Sequence, residues 1–280
     1  MAAEPYRCFR IEAEDGVATL TLDHPPINLL DAALIGELDR AGRELETDPN
    51  VRVVVIRSDD PEFFIAHADV ELILKLPTPA ADAPRTGKPS VFHAMVDRFR
   101  TMPKATIAVI EGVCRGGGSE LALSFDMRFA ALGKAVLAQP EVAVGILPGG
   151  GGTQRLPRLC GRGRALEIVL GGEDFPAELA ERYGWVNRAL PPDELHDFVD
   201  ALARRIASFP AEAIALAKES LNRSDLGLVD GLVDEAHSFN QTLATDPAQA
   251  RMRRFMEIGG QTPEGEKNLD DLLAKLADLG

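Results

Sequence analysis

The sequence predicts an α/β fold that is followed by a helical C-terminal region. Two apolar runs, residues 51–57 and 105–111, have the length and composition of buried strands. Residues with helical spacing precede the first of these runs, and a strand pattern precedes them in turn. From Pro192 onward the pattern is almost entirely helical. A succession of strand, helix and buried strand favours a sheet with helices packed against it.

The first elements can be placed in order along the chain. Residues 9–13 and 17–22 have strand character, and the Glu14-Asp-Gly sequence between them predicts a β-hairpin. Asp31 is expected to cap the helix that follows. The apolar face of that helix is expected to consist of Leu34, Leu38, Ala41 and Leu45.

Composition limits the classes of function. A net charge of −14 over 280 residues disfavours binding to nucleic acids or membrane surfaces, because both are anionic. Cys8, Cys114 and Cys160 show neither paired nor metal-type spacing, which predicts reduced thiols and no metal site. No apolar stretch is long enough to span a bilayer, and the N-terminus lacks an apolar signal core. We therefore expect a cytoplasmic protein.

A glycine-rich turn, residues 113–120, is the feature around which the chain is organised. It joins the strand at 105–111 to a short helix and contains three consecutive glycines, Gly116 to Gly118. Glycine allows positive φ, and the first amides of a helix lack intrahelical acceptors. The turn is therefore expected to form a cup of N–H donors for an oxyanion or a phosphate. Glu120 follows closely enough for its carboxylate to lie over that cup.

Three further segments carry candidate functional residues. They are Ala66-His-Ala-Asp69, Gln139-Pro-Glu141 and the run at residues 147–156. Taken singly, these patterns and that of the glycine turn are weak: Glu120 has an ordinary explanation as a helix-capping acid, Gln-Pro-Glu as a turn, and the glycine run as a hinge or a phosphate loop. Thr153 is expected to cap the helix that the glycine run opens. Neither glycine run matches a P-loop or a dinucleotide-binding fingerprint.

The order and spacing of the four segments resemble those of the crotonase (enoyl-CoA hydratase/isomerase) family. The resemblance extends from Val17 to about Leu190, and more loosely over the helical C-terminus. It implies a crotonase-like spiral of ββα units. The division that we predict is a core with the CoA and acyl site at residues 1–204 and a helical oligomerisation region at 205–280. By resemblance, the C-terminal helices assemble a homotrimer or a dimer of trimers.

The same resemblance implies roles for individual residues. The backbone amides of Ala68 and Gly117 would form an oxyanion hole for a thioester carbonyl, which suits the charge that grows on this oxygen in an enolate-like transition state. Glu120 would activate a water molecule and Glu141 would deliver a proton to Cα, giving syn addition of water to a trans-2-enoyl-CoA. Two carboxylates in one dry site also favour different protonation states.

Coenzyme A is expected only as part of the substrate, without a separate cofactor. By resemblance it would lie along Ala66, His67, Ala68, Asp69, Gly116 and Gly117. Arg115 and basic residues of the C-terminal helices are candidates for contacts with its phosphates. The acyl pocket is expected between residues 72–95, which include a Pro-rich loop at 76–89, and residues 144–147.

His67 departs from the family pattern, which has glycine at this position, and Ile65 also stands where small residues are common. Three interpretations of His67 remain open: a side chain satisfied by a polar contact, a ligand contact, or an additional acid/base group. His24, His93, His196 and His237 are expected on the surface or on helix faces.

Several functions remain as alternatives to hydration. A double-bond isomerase of this family needs only the carboxylate at position 141, and other crotonase-type reactions use the same fold. A catalytically silent acyl-CoA binder and a nucleic-acid-binding member are two further alternatives. The presence of both Glu120 and Glu141 favours the hydratase over these alternatives, and the acidic charge balance disfavours nucleic acid.

Overall fold

The computed structural model describes residues 5–78, 89–225 and 227–276. Across these described ranges ten strands form two sheets, and the predicted hairpin is confirmed as β1 and β2. The strands are β1 Phe9–Glu14, β2 Val17–Leu22, β3 Val53–Ser58, β4 Phe63–Ile65, β5 Ala105–Ile110, β6 Val113–Arg115, β7 Met127–Ala131, β8 Val136–Ala138, β9 Phe175–Pro176 and β10 Arg188–Leu190.

Helices α1 to α13 connect and cover these strands, with a 3₁₀ helix at Glu141–Val144. They are α1 Ala32–Thr47, α2 Val70–Leu74, α3 Val91–Thr101, α4 Gly117–Ser124, α5 Gly152–Cys160, α6 Arg162–Gly171, α7 Ala177–Tyr183, α8 Pro192–Ala207, α9 Ala211–Asn222, α10 Leu228–Leu243, α11 Asp246–Glu257, α12 Pro263–Lys267 and α13 Leu269–Ala274.

The larger sheet forms the core. Its strand order is β1-β2-β3-β5-β7-β10, and all neighbours except the β1–β2 hairpin are parallel. Alternate residues of β3 and β5 enter different apolar clusters, so that Val54 and Ile56 face one side while Val53 and Val55 face the side covered by α8. Burial of both faces explains why these strands are continuously apolar in the sequence.

Helix α1 begins as expected, because the Asp31 side chain accepts a hydrogen bond from the Leu34 amide at 2.9 Å. This bond satisfies one of the amides that have no partner within the helix. Residue 205, where we divide the chain, lies inside α8, and the division itself stays a prediction. Within the described residues, no helix combines the length and the apolar character needed to cross a bilayer.

The smaller sheet positions the candidate site. Its order is β4-β6-β8-β9, in which β4, β6 and β8 are parallel neighbours. The segment beginning at Ala66 follows β4, the glycine turn at Gly116 follows β6, and Gln139 follows β8. Because the carboxyl ends of parallel strands share one edge of a sheet, three segments that are distant in sequence meet there.

Candidate active site

A cavity of about 570 Å³ opens at this edge of the smaller sheet. Ala68, Gly117, Glu120 and Glu141 all line it. Some described residues of the expected acyl-pocket segments also line it, while residues 79–88 of the Pro-rich loop lie outside the described part of the chain. The apolar lining from these segments consists of Leu72, Ile73, Leu76, Pro77, Val91, Phe92, Val144 and Ile146.

The glycines of the turn are required by close contacts. Gly116 has φ +48° and ψ −125°, and a Cβ atom placed on it would lie 3.0 Å from Glu141 Oε1. A Cβ atom on Gly118 would lie 2.6 Å from the carbonyl oxygen of Ile65. Side chains at these positions would therefore push α4 away from β4 or intrude on a carboxylate. The large Ile65 side chain is accommodated because the residue opposite is Gly118.

Two backbone amides are held in fixed orientations at the cavity. The Leu30 amide donates to the His67 carbonyl oxygen at 3.0 Å, and the Glu120 amide donates to the Gly116 carbonyl oxygen at 2.9 Å. In a planar trans peptide the N–H points opposite to the C=O. The N–H groups of Ala68 and Gly117 are thereby directed away from those bonds, and Gly117, as the first residue of α4, has no intrahelical acceptor.

Glu120 is buried, with 3% of its surface exposed. Its Oε1 atom accepts hydrogen bonds from the amides of Gly150 at 2.7 Å and Gly152 at 2.8 Å. Burial, followed by the charge of Glu235, raises the pKa of Glu120 to about 8, although the two amides and Arg155 act in the opposite direction. The carboxylate is therefore held in place while remaining able to take up a proton near neutral pH.

Glu141 opens the 3₁₀ helix and lies beside Glu120. The side-chain amide of Gln139 is satisfied when its nitrogen faces Glu141 and its oxygen faces Ser119. In this orientation Gln139 donates to both carboxylate oxygens of Glu141 at 3.1 Å and accepts from Ser119 Oγ at 3.1 Å. Loss of water contact, followed by the charge of Glu120, raises the pKa of Glu141 well above its ordinary value. Two acidic groups that repel each other in this way can share one proton.

His67 is held by polar contacts at both ring nitrogens. Its Nε2 atom lies 3.0 Å from Glu266 Oε1, and its Nδ1 atom lies 2.7 Å from the Ala68 carbonyl oxygen. Burial alone would lower the pKa of His67, but the charge and hydrogen bond of Glu266 raise it above the ordinary value. Of the three interpretations, this geometry supports a satisfied polar contact, and the side chain also forms part of the cavity wall.

The other expected binding residues have mixed positions. Asp69 and Gly116 line the cavity, whereas Ala66 is fully buried behind it. Asp69 caps α2 by accepting from the Glu71 amide at 2.9 Å, and it also accepts from Gln261 Nε2 at 3.0 Å.

The expectation that Arg115 contacts phosphate is wrong. Arg115 is 3% exposed and donates to both carboxylate oxygens of Asp174, at 2.6 and 2.7 Å. It also donates to the Glu266 carbonyl oxygen at 2.9 Å. These bonds occupy the guanidinium group within the protein.

One further expectation, that for Thr153, is wrong, and His93 lies on the buried face of α3; both residues contact Glu235. His93 is fully buried, and its Nε2 atom lies 2.9 Å from Glu235 Oε1. Thr153 does not cap α5, because that helix begins at Gly152 with Gly151 in the capping position. The Thr153 amide donates instead to Glu235 Oε2 at 2.8 Å.

Glu235 and Glu266 were not identified from the sequence, although a signal existed for Glu235. It stands on the same side of α10 as Leu232, Phe239 and Leu243, which form the apolar face of that helix. A charged residue at an inward position of an amphipathic helix is buried only when it is paired. That pattern could have predicted that Glu235 is buried beside a polar partner, but it does not identify the partner.

Comparison with known proteins agrees with the motifs. A model of the enoyl-CoA hydratase/isomerase family matches residues 12–263. The chain belongs to this family. The family and the crotonase fold expected from the sequence are thereby confirmed.

Individual members of the enoyl-CoA hydratase/isomerase family resemble the chain over most of its length. The probable enoyl-CoA hydratase echA8 of Mycobacterium leprae is 34% identical, covering 90% of this chain and 96% of the relative. The short-chain-enoyl-CoA hydratase of Clostridium acetobutylicum is 33% identical, covering 92% of this chain and 97% of the relative. The crystal structure of a candidate enoyl-CoA hydratase from Streptomyces avermitilis has a TM-score of 0.90 at 43% identity. It covers 98% of this chain and 99% of the solved chain.

Proposed function

We propose that this chain is an enoyl-CoA hydratase, a hydro-lyase that catalyses syn addition of water to a trans-2-enoyl-CoA thioester. The observation that carries the proposal is the presence of two acidic side chains, Glu120 and Glu141, in the wall of the cavity that Ala68 and Gly117 also line. The relatives named as enoyl-CoA hydratases support it. The acyl-CoA thioester is then the substrate, and the reaction needs no separate cofactor.

In the proposed reaction the thioester oxygen accepts hydrogen bonds from the amides of Ala68 and Gly117. Each such donor contributes about 10²- to 10³-fold in rate when it meets charge that develops in the transition state. Ionised Glu120 takes a proton from water as the water oxygen bonds to Cβ. The electron pair of the double bond moves toward the thioester oxygen, and protonated Glu141 supplies the proton that Cα receives.

The protonation states follow from the contacts of the two carboxylates. Two amides donate to Glu120, and such bonds stabilise its ionised form. The charge on Glu120 favours the protonated form of Glu141. A site with one proton shared between them therefore has a base and an acid available for the same water molecule.

The surroundings of the site support three further proposals. Coenzyme A would run past His67, Ala68 and Asp69 and the glycine turn, with the acyl chain between α2, α3 and the 3₁₀ helix. The helical region at residues 205–280 would assemble a homotrimer or a dimer of trimers. The three cysteines are free and buried, which fits a reducing compartment, and we propose the cytoplasm.

The proposal is tested by the loss of 2-enoyl-thioester absorbance with crotonyl-CoA and longer enoyl-CoAs. We expect Glu120→Gln and Glu141→Gln each to lower the hydration rate by at least ~10²-fold, the scale of general acid–base catalysis. Glu212→Gln, an equal change of charge on the exposed face of α9, is the matched control. Unchanged rates in both active-site variants would remove the hydratase assignment.

An isomerase is distinguished by its use of a single carboxylate. With a 3-enoyl-CoA substrate, an isomerase would keep its activity in Glu120→Gln and lose it in Glu141→Gln. A catalytically silent binder would retain affinity for acyl-CoA and show no turnover in the wild type.

A further inference from the structure

The turn formed by residues 149–153 alternates its amides between two carboxylates. The amides of Gly150 and Gly152 donate to Glu120 Oε1 at 2.7 and 2.8 Å. The amides of Gly151 and Thr153 donate to Glu235, at 2.5 Å to Oε1 and 2.8 Å to Oε2. The two carboxylates therefore hold one short stretch of backbone from opposite sides. Movement away from Glu235 would also move the donors of Glu120.

Glu235 uses its full capacity for hydrogen bonds within the protein. Besides the two amides, Oε1 accepts from His93 Nε2 at 2.9 Å, and Oε2 accepts from the Thr153 hydroxyl. An ionised carboxylate has about four acceptor sites, and here all are occupied by donors. The side chain is fully buried and does not line the cavity. Glu235 is thus a fixed anion that has no remaining site for substrate.

His93 anchors this anion to another part of the fold. It lies in α3 and is fully buried, with Nδ1 2.7 Å from Ser90 Oγ. Since Nε2 faces the carboxylate of Glu235, it is the nitrogen that carries the proton in this contact. The turn is consequently held between α10 and α3, two helices that are far apart in the sequence.

The conformation of the turn explains why an external anion is needed. Gly151 has φ +111°, a conformation that residues with side chains rarely adopt, and a Cβ atom on it would overlap Arg155. A turn of consecutive glycines has high conformational entropy in the absence of anchoring contacts. Its orientation must come from bonds made by other elements, and Glu120 and Glu235 supply four of them.

We propose that Glu235 is a positioning residue for the hydration reaction: from α10 it fixes the turn whose amides hold the base Glu120. The inference rests on the proposed function, since it concerns the orientation of the group that activates water. It also assigns the C-terminal helical region a part in catalysis, in addition to the assembly proposed above.

A fixed anion also acts on Glu120 through its charge. After burial, Glu235 is the next cause that raises the pKa of Glu120. Among the described residues, the other charged or titratable groups that face the two carboxylates are His93 from α3, Arg155 from α5 and Glu141 from the 3₁₀ helix, with Asp97 paired to Arg155 at 3.2 Å. Removal of the Glu235 charge leaves all of these in place and lowers the pKa of Glu120.

The test compares Glu235→Gln with the control Glu212→Gln. Because misplacement of a catalytic group by about 1 Å costs up to ~10²-fold, we expect kcat of Glu235→Gln to fall by roughly 10- to 100-fold. Affinity for the unreactive analogue butyryl-CoA, measured by calorimetry, should remain that of the control. The acidic limb of the kcat/KM profile should move to lower pH, because a base with a lower pKa stays ionised in more acidic solution.

A second pair of variants changes a hydrogen bond to Glu235 without changing its charge. This pair remains informative if Glu235→Gln does not fold. Thr153→Val removes the hydroxyl that donates to Glu235, while Thr153→Ser retains it. We expect a reduced kcat with an unmoved acidic limb in Thr153→Val, and recovery in Thr153→Ser. Equal kcat values in these two variants would contradict the proposal. The proposal would also be contradicted if Glu235→Gln had the kcat of the control, or if its kcat fell while the acidic limb of its kcat/KM profile did not move.

Failure of this inference is distinguishable from failure of the proposed function. If the wild type hydrates enoyl-CoA and Glu120→Gln does not, while Glu235→Gln matches the control, only the role of Glu235 is refuted. If the wild type shows no turnover with any enoyl-CoA, the proposed function fails and the role of Glu235 fails with it.

Discussion

Replacement of Glu266 by alanine should release the C-terminal segment from the edge of the cavity. Glu266 has no exposed side-chain surface, and its Oε1 atom accepts from His67 Nε2 at 3.0 Å and from the Gln261 amide at 2.8 Å. Glu266→Ala leaves the His67 imidazole buried beside Arg115 with no facing carboxylate from α12. Loss of one partner of a buried ion pair costs about 3–5 kcal/mol, mainly because a charge remains unpaired.

Because α12 is a short helix that this buried pair connects to His67, the loss should appear as local opening. Amide hydrogen exchange of residues 259–268 measures that opening directly. At 1.36 kcal/mol for each factor of ten, a loss of about 3–5 kcal/mol lowers the protection factors by roughly 10²- to 10³-fold or more. Glu264→Ala is the control, since Glu264 lies on the same helix and is exposed.

The effect should depend on pH in a defined direction. The pKa of His67 is raised, so its contribution is complete below its unfolded value of about 6.5 and is lost as pH rises through the folded value. The pKa of Glu266 is lowered: burial opposes this shift, and His67 outweighs it. Its contribution is complete above about 4.3 and is lost as pH falls through the folded value.

Wild-type protection of residues 259–268 should therefore be greatest between about pH 4.3 and pH 6.5. Glu266→Ala should lack this maximum. Equal protection factors in Glu266→Ala and Glu264→Ala near pH 6 would contradict this expectation, since the buried pair would then contribute nothing to the closed segment.

Two predictions concern the pH response and the glycine turn. For the wild type, kcat/KM should rise with pH through an apparent pKa near 8 as Glu120 ionises, and fall where Glu141 loses its proton, far above the usual range of glutamate. A flat profile of initial rates from about pH 6 to about pH 10 would contradict this assignment. Gly118→Ala places a Cβ atom 2.7 Å from Ile65 Cβ and should cost about 1–3 kcal/mol with a reduced hydration rate. Gly163→Ala in α6, where a Cβ atom meets nothing within 4 Å, should leave the melting temperature and the rate unchanged or slightly raise the former.

The sequence predicted the parts of the site that follow directly from strand ends. The segments at Ala66, Gly116 and Gln139 each continue a strand of the smaller sheet, so their order along the chain was sufficient to bring them together. Gly117 and Glu120 are also close in the sequence, and both lie in the first turn of α4. Spacing between nearby residues carries this information because the regular geometry of a helix or strand determines which of them lie on the same face.

The contacts of the C-terminal region could not be predicted in the same way. Glu266 meets His67 across 199 positions of sequence, and Glu235 meets His93 across 142. Such pairs depend on how elements that are distant in sequence pack together, which no local pattern encodes. The partner of His67 was therefore unknown, and Arg115 was misjudged because its pairing with Asp174 over 59 positions was equally hidden.

In the proposed reaction, main-chain atoms rather than side chains bind the oxygen of the substrate, and this has a consequence for how such an enzyme can diversify. Peptide N–H groups persist whichever side chain is attached, so substitutions at positions 120 and 141 can change the proton chemistry while leaving the anchoring of the thioester intact. New activities can then arise on this scaffold without first losing the ability to hold their reactant.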